Sequence, residues 1–437
     1  MKRMGIVIVG VVLVVGCIFL FNQKDTKEIL ITEEQELNNT SLVFMLQDEE
    51  GNYNKSDTLP STGYTFNDTK SVCSNNATPT WEDNKLYLNN LTKNGTSCYL
   101  YFDQLCPIGA EACETILADN PTIDNSRSNG ITGPLTENTT GTLFTAEDDY
   151  GTSLIFAGDV DNNWVRFGGY YWRIIRINGD GSVRMIYSGE DTGSVTEANR
   201  TGESTQIGTS AFNEQYNDNA YVGYMYGTPG SDTYEETHAN INDSTIKTVL
   251  DTWYQQNLLS YSEYISTEAG FCNDRKVQSE IWPGYGDLGY GTNATGYALA
   301  GRLTSNNGWK IDQTPTLKCS QSNDYFTTSY SSKGNHALVY SIGLITGDEA
   351  VLAGGFGGTV NDNYYLNTNL TYWTMSPSYF YDSNYNIHVF RVVSSGGIAS
   401  NQIINMDGVR PVINLDASVT LTGSGTSADP YVVEGAE

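Results

Sequence analysis

The feature that most constrains this chain lies at its amino terminus, where Lys2 and Arg3 precede an apolar run from Gly5 to Phe21. As a helix the run spans about 25 Å, slightly less than the hydrocarbon core of a bilayer. Flanking basic residues stay cytoplasmic, so everything after Phe21 is expected outside the cytoplasm. Three fates compete: a retained signal anchor, a cleaved signal peptide, or lipidation at Cys17, which follows Val14-Val15-Gly16. Ile18-Phe19-Leu20-Phe21 carries the apolar run past that cysteine, and no A-x-A-like site follows Phe21. The favoured expectation is therefore a single-pass cell-membrane anchor over residues 1–21 with the body extracellular; a lipoprotein through Cys17 is the alternative. Residues 22–38 are charged and polar, without apolar periodicity, and read as a stalk.

Beyond Cys17 there are six cysteines: Cys73, Cys98, Cys106, Cys113, Cys272 and Cys319. An even number in an exported chain points to disulfides. No C-x-x-C pair occurs and histidine is scarce, which argues against a zinc site. Six cysteines allow fifteen pairings. Proximity and domain limits favour Cys73–Cys98, Cys106–Cys113 and Cys272–Cys319, with exchanges among the first four cysteines left open.

Charge narrows the partners. With 51 acidic and 23 basic residues the formal net charge is −28. Nucleic-acid binding requires clustered Lys and Arg, so that class is excluded, and anionic lipid is disfavoured. Only 17% of residues are charged, yet 30 Tyr and 7 Trp supply ample apolar surface for folded cores.

The expected class is α+β, with the anchor followed by a small all-β domain over 39–103, a connector over 104–140 and a large domain over 141–433. In the small domain, Ser41 to Gln47, Gly63 to Phe66, Thr80-Trp81, Lys85 to Leu91 and Cys98 to Phe102 read as strands punctuated by turn residues. About 65 residues give a thin core, which a disulfide would reinforce. Ala110 to Leu117 reads as a short helix, and the Asn-, Thr- and Gly-rich stretch from Asn120 to Thr140 as a linker or surface segment. In the large domain, Tyr170 to Tyr187 forms a hairpin around Asn178-Gly-Asp-Gly181. Asp243 or Ser244 caps a helix that places Ile246, Val249, Leu250 and Trp253 on one face. Thr346, with Glu349 three residues later, opens another helix through a capping box, and Gly354-Gly355 stops it.

Tyr372-Trp-Thr-Met-Ser-Pro377, Val389-Phe-Arg-Val-Val393, Gly396-Gly397 and Gly408-Val-Arg-Pro-Val-Ile-Asn-Leu415 carry a resemblance. The pattern W-x-x-S-P, an alternating strand, then G-V-R-P resembles a family of Gram-positive bacterial surface proteins. It is similar to the C-terminal part of C-type-lectin-like domains of the formylglycine-generating-enzyme type. Phe167 to Arg176, Phe271 to Arg275, Thr316 to Cys319 and Gly423 to Val433 fit the same company. The resemblance implies a lectin-like fold for the large domain. It does not extend to oxidase activity, because no cysteine lies beyond Cys319 and Arg410 is followed by Pro411. The fold hosts many functions and decides none by itself.

The candidate ligand residues are Tyr365, Tyr372, Tyr379, Tyr381, Asp382, Tyr385 and Asn386. They crowd one stretch, and aromatic faces beside amides and carboxylates suit sugars and polar peptides. Trp373, Pro377, Arg410 and Pro411 read as scaffold. Asp159, Asp161 and Asn163 place oxygen ligands at alternate positions, as calcium loops do, but without the Gly and distal Glu of an EF-hand. Calcium is the one cofactor this leaves open. His238, His336 and His388 form no metal or catalytic spacing and read as ordinary surface or packed histidines. Neither a G-x-S-x-G elbow nor a glycine-rich phosphate loop is present, so no catalytic residue is assigned. The functional expectation is an extracellular binding or adhesion protein contacting a surface glycan or protein. A structural wall component is the second reading, and a surface hydrolase, needing two facing carboxylates, the weakest.

Overall fold

Short strands supply most of the regular secondary structure among the described residues. A computed structural model describes residues 7–8, 29–31, 40–48, 51–60, 63–82, 85–92, 95–278, 285–303, 315–330, 333–381 and 386–436. They fall into two units: Met1–Ile108 with Pro121–Ile123, and Gly109–Asn120 with Asp124–Glu437. The secondary structure is mixed α+β and mostly strand.

In the smaller unit the strand Thr96–Gln104 lies at the centre of a four-stranded sheet. It runs parallel to Thr40–Gln47 and antiparallel to Tyr64–Cys73, with Tyr53–Ser56 on the outer edge. Alternation along Thr96–Gln104 turns Cys98, Leu100 and Phe102 inward. Leu86 and Leu88, from the strand Lys85–Asn89 of a second sheet, complete that core with Phe44. Trp81 and Phe66 stack at its margin, with ring centroids 6.1 Å apart. Cys73 and Cys98 stand directly opposite one another in the ladder and are bridged. A core this small gains most from the bridge, because burial alone scarcely offsets chain entropy.

Of the amino-terminal apolar run, only Val7–Ile8 is described. It pairs antiparallel with Ile29–Ile31, the extended conformation that β-branched residues favour. The rest of the run expected as an anchor helix, and most of the stalk, lie outside the described residues. Among the described residues no helix is long and apolar enough to cross a membrane.

In the larger unit the expected hairpin joins Tyr170–Ile177 to Val183–Glu190. Its turn closes through the Gly181 N–H donating to the Asn178 carbonyl at 2.8 Å, with Gly181 at φ +83°. A tighter turn, Gly168-Gly169, has φ of +62° and +81° and joins Trp164–Phe167 to Tyr170–Ile177, a geometry that admits little but glycine. The C-terminal strand Tyr431–Val433 runs parallel to Trp164–Phe167, and Val412–Leu415 lies beside Val183–Glu190. A second sheet is an antiparallel meander of Tyr372–Tyr381, Asn386–Val392 and Ile398–Gln402, with Thr295–Gly296 on its far side.

Ser244 caps the helix Thr245–Asn257 by accepting the Lys247 N–H. Its buried face is Ile246, Lys247, Leu250 and Tyr254; Val249 and Trp253 are only half-buried. The Thr346–Glu349 capping box is complete, Thr346 Oγ1 accepting from the Glu349 N–H and Glu349 Oε2 from the Thr346 N–H. The other expected helix forms at Glu111–Asp119. Part of the connector is not a free linker: Arg127 is buried and donates to the carbonyls of Val351 and Leu352, both at 2.7 Å. Cys272 and Cys319 are bridged, and Cys106 and Cys113 are also disulfide-bonded.

Candidate functional site

Strand alternation builds an aromatic and amide face on the second sheet. Tyr379 and Tyr381 are two apart, so they stand on the same side of Tyr372–Tyr381, while Phe380 between them is fully buried. Ladder pairing sets His388 opposite Tyr379, Asn386 opposite Tyr381 and Gln402 opposite His388. The imidazole of His388 stacks on the Tyr379 ring, centroids 4.4 Å apart and planes 19° from parallel. Tyr285 arrives from a distant segment, beside the bridge between Gly286 and Thr295. Its ring meets Tyr379 edge-on at 5.8 Å and stacks with Tyr381 at 5.4 Å. Tyr381 is the most open of the three tyrosines, with 37% of its surface exposed.

Hydrogen bonds orient the polar groups of this face. His388 Nε2 donates to Asn386 Oδ1 at 2.9 Å, and Ser400 Oγ donates to His388 Nδ1 at 3.2 Å. Gln402 Nε2 donates to the same Asn386 oxygen at 2.7 Å. The Asn386 amide nitrogen and the Gln402 amide oxygen therefore have no partner among the described residues. Burial, followed by the neighbouring Arg391 cation, pushes the His388 imidazole down to about 4, so it is neutral in ordinary buffers. Burial, then Tyr379 and Tyr381, pushes the Tyr285 phenol up to about 12, and burial also raises Tyr379. The face thus presents neutral rings, amides and an uncharged imidazole.

Of the residues expected to bind ligand, Tyr379, Tyr381 and Asn386 come together here. Tyr365 and Tyr372 do not, because they are core residues. The Tyr372 hydroxyl donates to the Leu366 carbonyl at 2.9 Å, and its ring lies under the Arg410 guanidinium at 4.8 Å. The Tyr365 ring faces Arg173 at 5.1 Å. Asp382 and Tyr385 lie outside the described residues. Scaffold roles hold for Trp373, whose Nε1 donates to the Ser210 carbonyl at 2.8 Å, and for Arg410, which donates to the carbonyls of Tyr187 and Leu366. Sequence reading missed His388, Gln402 and Tyr285. The alternation Asn386-Ile-His388-Val, apolar residues facing in, marks His388 as a surface neighbour of Asn386, whereas no local signal links Tyr285 to this sheet.

Two of the three side chains considered for calcium, Asp161 and Asn163, are engaged by protein partners. Asp161 accepts from Arg200 Nη2 and Ser427 Oγ, both at 2.8 Å. Asn163 is buried, its oxygen accepting from Arg173 Nε at 2.5 Å and its nitrogen donating to the Ile174 carbonyl at 2.8 Å. Asp159 is exposed. Among the described residues no group of three or more His, Cys, Asp or Glu side chains is placed to hold a metal.

The densest charge in the larger unit is buried and paired. Glu349 lies between Arg176 at 3.0 Å and Arg184 at 2.5 Å, and Arg176 also reaches Asp148 at 2.8 Å. Burial opposes ionisation of Glu349, but Arg184 and Arg176 hold its carboxyl below the usual range. Arg302 bridges Asp274 and Asp348, each at 2.6 Å. The small, partly open cavity beside these groups measures about 20 Å³, room for a water and too little for a substrate. Its lining, which includes Arg176, Arg184, Asp348 and Glu349, works as an internal lattice joining the hairpin to the capped helix. A shallower, open groove of about 280 Å³ runs along the helix Thr245–Asn257, lined by Ile207, Thr248, Val249, Thr252, Trp253 and Gln256.

Compared with known proteins, the chain matches no family model, no curated protein and no solved structure.

Proposed function

We propose that this chain is an exported binding or adhesion protein, tethered to the cell membrane by its amino-terminal run, whose larger unit is a lectin-like head. The observation that carries the reading is the face formed by Tyr285, Tyr379, Tyr381, Asn386, His388 and Gln402. There, stacked rings are left partly exposed beside amide groups with free hydrogen-bonding capacity. Aromatic rings left half in solvent next to unsatisfied amides suit a ligand with an apolar side and a polar edge. The return of Tyr431–Val433 alongside Trp164–Phe167, which sets the last strand of the head beside one of its earlier strands, supports the lectin-like reading. The paired disulfide cysteines support export, since such bridges persist in oxidising spaces. Pairing of the buried Asp148, Asp274, Asp348 and Glu349 with arginine favours binding over hydrolysis.

The test is a screen of the full chain, in detergent, against immobilised surface glycans and surface proteins. Retention on a ligand, weakened in a Tyr285→Ala/Tyr381→Ala double variant, is the expected result. Absence of any retained ligand, or retention indifferent to the double variant, removes the reading.

One observation favours a structural role for the smaller unit as well. Val72 and Tyr99 face each other across the ladder on its outer side, 57% and 48% exposed. An apolar pair of this kind suits self-association. Under this second reading native mass spectrometry at high protein concentration shows oligomers that Tyr99→Ser disperses, and a stable monomer counts against it.

A further inference from the structure

Resting on the binding reading above, we propose that the ligand of the Tyr285–Tyr379–Tyr381 face is an uncharged carbohydrate, bound without a metal ion.

The hydrogen-bond pattern points to hydroxyl groups. Asn386 Oδ1 is saturated by His388 Nε2 and Gln402 Nε2, which turns the Asn386 amide N–H groups and the Gln402 amide oxygen to other partners. A donor and an acceptor on neighbouring strands match adjacent hydroxyls of a sugar ring, each of which both donates and accepts. The rings supply the other half of the recognition. Tyr381 and Tyr285 offer a stacked pair to the apolar C–H face of a pyranose, and the alternation of the strands holds that pair in line with the two amides.

Charge selects among sugars. None of the six side chains that make the face is a Lys or Arg, and the neighbouring Arg391 is paired with Asp407, so no cation is offered to a sialic, uronic or sulfated group. The whole chain carries −28, which repels anionic ligands at long range. The same composition removes the usual metal-bridged mode, because hard cations require several carboxylate or carbonyl oxygens and this face offers amides, phenols and an imidazole.

The experiment is an array of neutral and acidic oligosaccharides, printed together with surface proteins and probed with the full chain in detergent, with and without EDTA. Neutral glycans are expected to retain the protein, equally in EDTA. Tyr381→Ala and Tyr285→Ala are each expected to weaken binding about tenfold, while Tyr381→Phe stays within about threefold because the ring alone stacks. Circular dichroism confirms that the variants fold. Retention by printed proteins but by no glycan overturns this inference and leaves the broader binding reading standing. Silence of the whole array overturns both. Preference for acidic glycans, loss of binding in EDTA, or glycan binding untouched by either alanine variant also overturns it.

Discussion

His388 lies stacked on Tyr379 while Ser400 and Asn386 fix both its ring nitrogens, and so it acts as a hinge between aromatic and amide halves of the face. Its pKa is depressed in the folded chain, from the usual 6.5 to about 4. The sign follows from linkage: its contribution to stability is whole above about 6.5 and is lost as pH falls toward 4. An NMR titration should find the His388 ring neutral at pH 6 with a midpoint near 4; a midpoint near 6.5 would mean that the ring is free in solvent. Glu349 is the second residue on which much depends, because it neutralises Arg176 and Arg184 inside the core. Glu349→Gln removes the carboxylate paired with the buried Arg184, leaves Arg176 with Asp148 alone, and is expected to cost about 3–5 kcal/mol in urea unfolding. A loss under 1 kcal/mol would show that water reaches the cluster.

Turns and caps were the elements most legible in the sequence. Asn178 to Gly181, and the reciprocal pair Thr346 and Glu349, are local devices whose chemistry sits within a few residues. Thr346→Ala removes the side-chain half of that box, and about 1 kcal/mol should disappear from the thermal unfolding free energy. The tyrosine cluster was legible only in part. The strand Tyr372–Tyr381 is buried on both sides over its first seven residues and its register shifts twice before Tyr379, so alternation alone does not tell the core residue Tyr372 from the exposed Tyr381. Tyr365 is buried by a loop that follows no period, and Tyr285 reaches the face through long-range pairing of Thr295–Gly296 with the strand Tyr372–Tyr381. Helix Thr245–Asn257 shows the same limit: the apolar period found the helix, but Lys247 takes an inward position because Asp251 at 2.6 Å and Asp243 at 3.2 Å neutralise it.

At the scale of the molecule, the disulfides and the proposed exported binding head belong to one description. The Cys73–Cys98 bridge closes a 25-residue separation in the unit with the smaller core. Chain-entropy arguments assign such a bridge about 3.5 kcal/mol, so Cys73→Ser/Cys98→Ser should raise hydrogen exchange in Thr40–Gln47 and Thr96–Gln104 while leaving the hairpin Tyr170–Glu190 protected. The cysteine count makes the disulfides readable from sequence, whereas the face itself depends on residues about a hundred positions apart. Retention of intact cells displaying the full chain on a surface coated with neutral oligosaccharides brings both halves together. Cells with the natural chain should adhere and cells with the Tyr285→Ala/Tyr381→Ala chain, at equal surface display, should wash away; equal adhesion of the two, or none by either, would contradict an exported head that binds through this face.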